Sequence, residues 1–399
     1  MSGRYKRKMS VNERMFVAME RLSPLINQMV FEGSGEIDLP QWAEAVEVAS
    51  RANPGSRLVL RGALGSCRWI DSGITPGIRE VDGSAWDGYG PEGAPFIEDR
   101  LDFVNGPSCE VLVIRGNSNP EGNPLRIIFR THHGIMDGRG TFVWIDDIFR
   151  VLNGLKPVGS ASPLTDTQLA RSIQKKQRKP YPTVFIGPTG KAEGHEHGTV
   201  WLRRPVRSAR FPNLLGQLAV ILAEEAWKRG EGSVLMAIPV DMRRHRPDLC
   251  STGNLTYSIY VLINPGDTPE KVTAEIHRQL RENYECMLTR GDELYRYAPL
   301  RLIARQARKI MDSRHANGLY SLSACLTNMG RISLDPYRGG GFKALDLWGI
   351  PPSMEYFPCF VGTLSTNDTL HVIITMPKVL ANRNRLETLM NRLVSELKP

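Results

Sequence analysis

The sequence predicts an α+β protein built as two lobes. Helix-like and strand-like segments occur in both halves without strict alternation, which favours two mixed lobes over one doubly wound sheet. No repeat of solenoid period runs through the chain. A stretch rich in Pro, Gly, Lys and Arg, from about Lys156 to Arg210, separates the halves. The expected division is an N-terminal lobe over residues 1–160, a connector over 161–210 and a C-terminal lobe over 211–399. With 399 residues, 41% apolar and 23% charged, the chain can bury a full-sized core, and disordered, collagen-like and coiled-coil classes are excluded.

The first element is a strand at Ile26 to Phe31. A helix follows from Leu39 to Ala52, started by Asp38 and Pro40, with Trp42, Ala45, Val46 and Ala49 on one face. Glu110 to Arg115 and Leu125 to Thr131 are Val-, Ile- and Phe-rich strands joined by turn-forming residues from Gly116 to Asn123. After Gly140 the period changes: Phe142, Ile145, Phe149 and Leu152 recur at helical spacing, and Gly154 stops the helix. The second half opens with a helix from Asn213 to Lys228 and strands at Val234 to Val240 and Leu255 to Ile263. A helix after Thr268 presents Val272, Ile276 and Leu280, and one from Pro299 to Met311 presents Leu300, Ile303, Ala307 and Ile310 to the core. Strands at Tyr320 to Leu326, Pro358 to Ser365 and Leu370 to Met376 precede a closing helix from Arg383 to Leu397.

Several functions are excluded at this level. The longest apolar stretch, Leu214 to Trp227, contains Gln217, Glu224 and Glu225 and falls short of the roughly 20 apolar residues a bilayer span needs. Glu13 and Glu20 interrupt the segment where a secretory signal would be apolar, so the expected location is the cytoplasm. The six cysteines form no CxxC pair and are expected to be buried, reduced thiols. His195-Glu196-His197 sits in a glycine-flanked connector without further ligands nearby, so no metal is expected there. Arg338-Gly339-Gly340-Gly341-Phe342 lacks the GK[ST] ending of a phosphate loop and reads as a flexible loop. A net charge of +9 attracts acidic partners, yet the basic runs lack interleaved aromatics and carry no nucleic-acid motif.

The informative string is Thr131-His132-His133-Gly134-Ile135-Met136-Asp137-Gly138-Arg139-Gly140. Adjacent strand residues point to opposite faces, so one histidine is expected to be structural and the other available. An imidazole can take the proton of an attacking amine, hydroxyl or thiol. Taken as dipeptides, the same residues also fit a polar strand end and a tight turn.

The full pattern HHxxxDG, read as His132, His133, Asp137 and Gly138, resembles the signature of the chloramphenicol-acetyltransferase-like superfamily, which includes condensation domains of nonribosomal peptide synthetases and stand-alone acyltransferases. The early helix through Ala45 to Arg51, Pro239-Val240-Asp241-Met242-Arg243-Arg244 with Thr252-Gly253-Asn254, and Thr327-Asn328-Met329-Gly330-Arg331-Ile332 resemble further landmarks of that group, in order along most of the chain.

The resemblance implies two chloramphenicol-acetyltransferase-like lobes in a V, with the motif inside a central tunnel. It implies that His133 is the general base, that His132 is structural, and that Asp137 is structural and pairs with Arg243. It implies that the Gly138 N–H faces the tetrahedral oxyanion. Asn328 and Gly330 would lie on the tunnel wall, as substrate contacts or as structural residues. No cofactor is bound permanently; coenzyme A or a phosphopantetheine thioester is the co-substrate. The basic face Arg301, Arg305, Arg308 and Lys309, with the run Lys175 to Lys179, is either donor-binding or solvated charge. The expected activity is transfer of an acyl group from acyl-CoA or an acyl or peptidyl carrier protein to a small amine or alcohol, in nonribosomal-peptide or polyketide-type metabolism. The alternative is a non-catalytic docking module that recruits carrier proteins or partner enzymes.

Overall fold

Capping residues set where the first helices begin. In the computed structural model, which describes residues 4–116, 125–207, 210–289, 297–352 and 354–399, the chain starts with β1 (Lys6–Lys8) and α1 (Val11–Met19). Ser10 and Glu13 cap α1 reciprocally. β2 (Ile26–Gly35) leads to α2 (Leu39–Ala52), where the Asp38 side chain accepts from the Gln41 N–H and Trp42, Ala45, Val46 and Ala49 are buried. Then come β3 (Leu58–Arg61), β4 (Arg68–Asp71), β5 (Gly77–Asp82), β6 (Cys109–Arg115), β7 (Leu125–His132) and α3 (Gly138–Leu152). Residues 117–124 of the loop expected between β6 and β7 lie outside the described residues.

The segment expected as a connector carries α4 (Asp166–Ile173) and β8 (Thr199–Arg207). β8 pairs antiparallel with a late strand from Thr199 to Arg207, so it is the edge of the second sheet. Arg203 hid it from the sequence reading. A buried arginine breaks the apolar alternation, and it is tolerated because it donates to the Gly88 carbonyl and stacks on Trp348 at 4.2 Å.

The remainder comprises α5 (Leu214–Arg229), β9 (Val234–Asp241), β10 (Thr256–Ile263), α6 (Pro269–Arg281), α7 (Leu300–Asn317) and β11 (Ala324–Ile332). After these come β12 (Arg338–Gly339), β13 (Phe342–Ile350), β14 (Phe360–Thr366), β15 (Thr369–Pro377), α8 (Lys378–Ala381) and α9 (Arg385–Glu396). On α7 the buried face is Ile303, Ala304, Ala307 and Met311, whereas Ile310, expected to face inward, is exposed. The apolar stripe is one residue further round the helix than the spacing suggested.

Two six-stranded sheets form the lobes, in the orders β12-β13-β2-β7-β6-β5 and β10-β9-β11-β14-β15-β8. The first sheet takes β12 and β13 from the C-terminal half: β13 pairs antiparallel with β2, Trp348 opposite Val30. The glycine run before β13 is a tight hairpin turn between β12 and β13 and not a flexible loop. The Gly340 carbonyl accepts from Trp42 Nε1 at 2.9 Å. A side chain at Gly341, φ +78°, would place its Cβ 1.7 Å from the Glu36 carbonyl oxygen. Phe31, Trp42, Phe129 and Phe149 centre the first core, and Leu218, Leu222, Val361 and Val372 the second. Between them, Trp86 and Trp348 pack with Trp201 and Ile373.

Candidate functional site between the lobes

β7 delivers the paired histidines. His132 is the last residue of the strand, opposite Ile26 of β2, and is fully buried against Phe103. Its Nδ1 accepts the Gly134 N–H at 3.1 Å. Burial, with the neighbouring His133, pushes its pKa down to about 3, so this ring is neutral. Behind it, 3.7 Å from Nε2, the buried Glu20 carboxyl is pushed up to about 7 by its own desolvation. His133 turns the other way. It is half-buried, packs on Phe16 with ring centroids 4.4 Å apart, and lines a cavity of about 820 Å³.

The tautomer of His133 follows from its partner. Nδ1 lies 3.2 Å from the Met136 carbonyl oxygen. A carbonyl can only accept, so Nδ1 carries the proton and Nε2 carries the lone pair. Burial lowers the pKa of this imidazole, only partly offset by the Met136 carbonyl and the Asp137 charge, which keeps it neutral and basic at neutral pH.

Asp137 ends the turn and begins α3. Its Oδ1 caps the helix by accepting the Gly140 N–H at 2.6 Å. Its Oδ2 accepts from Arg243 Nη1 at 3.0 Å, the Leu255 N–H at 2.7 Å and Thr256 Oγ1 at 3.0 Å, all from the second half of the chain. Burial works to raise this carboxyl, but the guanidinium and the backbone donors win and hold it below the usual aspartate range. Arg243 also donates to Asp241 Oδ1 and to the Ser251 and Gly253 carbonyls. With both carboxylate oxygens of Asp137 occupied by donors, it has no free capacity for proton transfer. The segment after Arg243 closes over the turn: Asn254 Nδ2 donates to the His133 carbonyl at 2.7 Å, and its N–H donates to the Ile135 carbonyl at 3.0 Å. Gly140 permits this approach, since a Cβ there would sit 2.3 Å from the Thr252 carbonyl oxygen.

Gly138 is the first residue of α3 and lines the same cavity. Its N–H lies in the first helical turn, where N–H groups have no intrahelical acceptor and the helix dipole favours negative charge. The opposite wall comes from the second lobe. Asn328 and Gly330 both line it, at an irregularity of β11 where Asn328 Oδ1 accepts the Gly330 N–H at 2.9 Å and Gly330 has φ +77°.

The four basic residues of α7 do not reach the cavity. Arg301, Arg305 and Lys309 are exposed, and Arg308 donates to His197 Nδ1 at 2.6 Å and pairs with Glu355 at 3.4 Å. Arg178, from the connector run, does line it, with its guanidinium 4.3 Å over the Tyr260 ring. Arg139 and Arg244 line it as well. None of the six cysteines is in a disulfide; Cys250 is half-buried and the other five are buried. Cys325 lines the cavity, but burial pushes its thiol far above neutral pH, so it is no nucleophile.

No family model matches the sequence, and no curated protein matches it. Solved structures do. The chain is similar to the first condensation domain of the calcium-dependent antibiotic synthetase, solved with a substrate analogue, at 13% identity over 99% of this chain and 95% of that one, TM-score 0.66. It is similar to the starter condensation domain of rhizomide synthetase RzmA, a double mutant solved with C8-CoA, at 14% identity over 98% and 93%, TM-score 0.65. It is also similar to polyketide synthase associated protein 5 from Mycobacterium tuberculosis, at 16% identity over 98% and 96%, TM-score 0.65. The chain has the condensation-domain fold.

Within that condensation fold, sequence reasoning missed Phe16 and Tyr260, and it named Asn254 and Arg244 only as landmarks and Arg178 only within the run 175–179; the folded chain brings all five to the cavity. It also missed an adjoining apolar chamber of about 240 Å³ lined by Met15, Phe16, Met19, Leu22 and Phe357. The apolar spacing of α1 could have revealed part of that chamber. Nothing local marks Arg178 apart from its neighbours Lys176 and Lys179. Among the described residues no helix is long and apolar enough to cross a membrane.

Proposed function

We propose that the chain is an acyltransferase that moves an acyl group from a pantetheine thioester, on coenzyme A or a carrier protein, to a small amine or alcohol in nonribosomal-peptide or polyketide-type synthesis. One observation carries this reading: a neutral imidazole, His133, with Nδ1 committed to the Met136 carbonyl and Nε2 unprotonated, lines a cavity walled by both lobes. The nucleophile's N or O bonds to the thioester carbonyl carbon while its proton passes to Nε2. Negative charge gathers on the carbonyl oxygen, where the Gly138 N–H and the start of α3 stabilise it. The C–S bond then breaks, the carbonyl re-forms, and the proton from Nε2 neutralises the departing thiolate. Asp137 moves no proton; with Arg243 it holds the turn that presents His133 and Gly138.

The surroundings suit such a donor. The apolar chamber beside Phe16 fits an alkyl chain. Arg178 and Arg244 suit the phosphate of a pantetheine arm better than the α7 face does, because they line the cavity. The C8-CoA seen with the RzmA domain is a thioester of this class.

The test is turnover of a panel of acyl thioesters and amines by wild type and His133→Ala. A loss on the order of 10²-fold or more is expected, the worth of a positioned general base. Near-normal turnover by the variant would overturn the role of His133. A wild type that binds a loaded carrier protein yet turns over no thioester would replace the enzyme reading with the docking module.

A further inference from the structure

Immediately beyond Arg243, three side chains that the proposed reaction does not use converge on one point. His245 ends the one-turn helix Met242–His245, and Glu285 and Cys286 end another, Tyr284–Cys286. Their ligand atoms all lie within 4.8 Å of one another. We propose that His245, Glu285 and Cys286 form a zinc site, with Nε2, Oε2 and Sγ as ligands and a water in the fourth position.

Two features support it. The first is spacing. Cys286 Sγ lies 3.6 Å from His245 Nε2. Tetrahedral zinc, with Zn–N near 2.0–2.1 Å and Zn–S near 2.3 Å, sets its N···S edge at about 3.5 Å. The second is an orphaned oxygen. Glu285 Oε1 accepts from Arg244 Nη1 at 2.7 Å and lies 2.8 Å from His245 Nε2, whereas Oε2 is buried without a hydrogen-bond partner among the described residues. Glu285 is 1% exposed, so water does not satisfy that oxygen from bulk, and leaving a buried acceptor unpaired is costly.

The donor set selects the ion. A thiolate, an imidazole and a carboxylate together suit zinc, while magnesium and calcium prefer oxygen alone. Arg244 keeps Oε1, so Oε2 is the oxygen left for the metal. Binding would release the Cys286 proton to solvent and move the imidazole proton to Nδ1. His245 has 13% of its side chain exposed, which gives the ion a path in and room for a water. The Met242–His245 turn also carries Arg243, so a bound ion would stiffen the clamp on Asp137 from behind.

The full chain, stripped with a chelator, would be titrated with Co²⁺ and then Zn²⁺. One Co²⁺ per chain should bind with a thiolate-to-metal charge-transfer band in the near ultraviolet, and one equivalent of Zn²⁺ should abolish it. Cys286→Ser should lose the band. His245→Asn should weaken Zn²⁺ binding on the order of 10-fold or more, and it covers the case in which the buried Cys286→Ser substitution prevents folding. A wild type without the band, or a band that survives in the folded Cys286→Ser protein, overturns the site. Cobalt bound without any charge-transfer band also overturns it, since that would locate the ion at surface histidines such as His195 and His197.

Discussion

At the scale of single residues, the two adjacent histidines differ in environment rather than in chemistry. His132 accepts a backbone N–H and is sealed in, so its pKa, about 3, removes it from any titration near neutrality. His133 donates to a backbone carbonyl and meets the cavity, so its free Nε2 is the proton acceptor. Its pKa is shifted downward from 6.5, chiefly by burial, and this sets the sign of a pH experiment. A general base works when deprotonated, so kcat/KM should rise with pH along a single acid limb whose midpoint lies below the usual imidazole value. Glu20 titrates near 7 but lies behind His132 and off the cavity, so Glu20→Gln should leave that limb in place. A limb at or above the free imidazole value, or one that vanishes in Glu20→Gln, would remove His133 as the titrating base.

At the scale of elements, the turn between β7 and α3 depends on Asp137 twice, as helix cap and as acceptor for Arg243 and the Leu255 N–H. Asp137→Ala removes a cap worth about 1 kcal/mol, leaves the buried Leu255 N–H without its acceptor, at about 1–3 kcal/mol, and takes from Arg243 one of its two carboxylate partners, Asp241 being the other. Denaturant unfolding should therefore show a loss of several kcal/mol. Asp137→Asn, which keeps an acceptor for Gly140 and lacks the charge, should fall between the two. Equal stability of wild type and Asp137→Ala would contradict the clamp. The strength of this turn also explains what was legible in the sequence. α2 and α3 carry strong local signals, a capping Asp and a clear apolar stripe, and both fold where the spacing places them. β8 and β13 do not announce themselves. β8 contains a buried arginine whose partners, Gly88 and Trp348, are more than a hundred residues away, and β13 follows three glycines whose purpose is visible only against Trp42 and Glu36. The same holds at the site: His132, His133 and Asp137 are close together in sequence, whereas Arg178, Asn254 and Tyr260 reach the cavity only through tertiary folding.

At the scale of the whole molecule, the lobes are not two independent folding units. β13, from the C-terminal half, lies between β12 and β2, so the first sheet is incomplete without residues 338–350. Trp348, on that strand, contacts Trp86 of the first half at 5.8 Å between ring centroids and Trp201, on the edge strand of the second sheet, at 5.9 Å. One fully buried indole thus joins both sheets, and Arg203 covers it with a cation–π contact. Large-to-small truncation of a buried aromatic costs about 3–5 kcal/mol through lost transfer energy and the cavity left behind. Trp348→Ala should show that loss across the entire molecule, because the strand it weakens is shared. Wild type should accordingly unfold in denaturant as one cooperative transition, with fluorescence and circular dichroism coinciding. In Trp348→Ala that transition should move as a unit or split, while a fragment ending at residue 160 should fail to fold. Two separated transitions in the wild type, or a stable 1–160 fragment, would show that each lobe stands alone and that the cavity between them is held only by the contacts around Asp137.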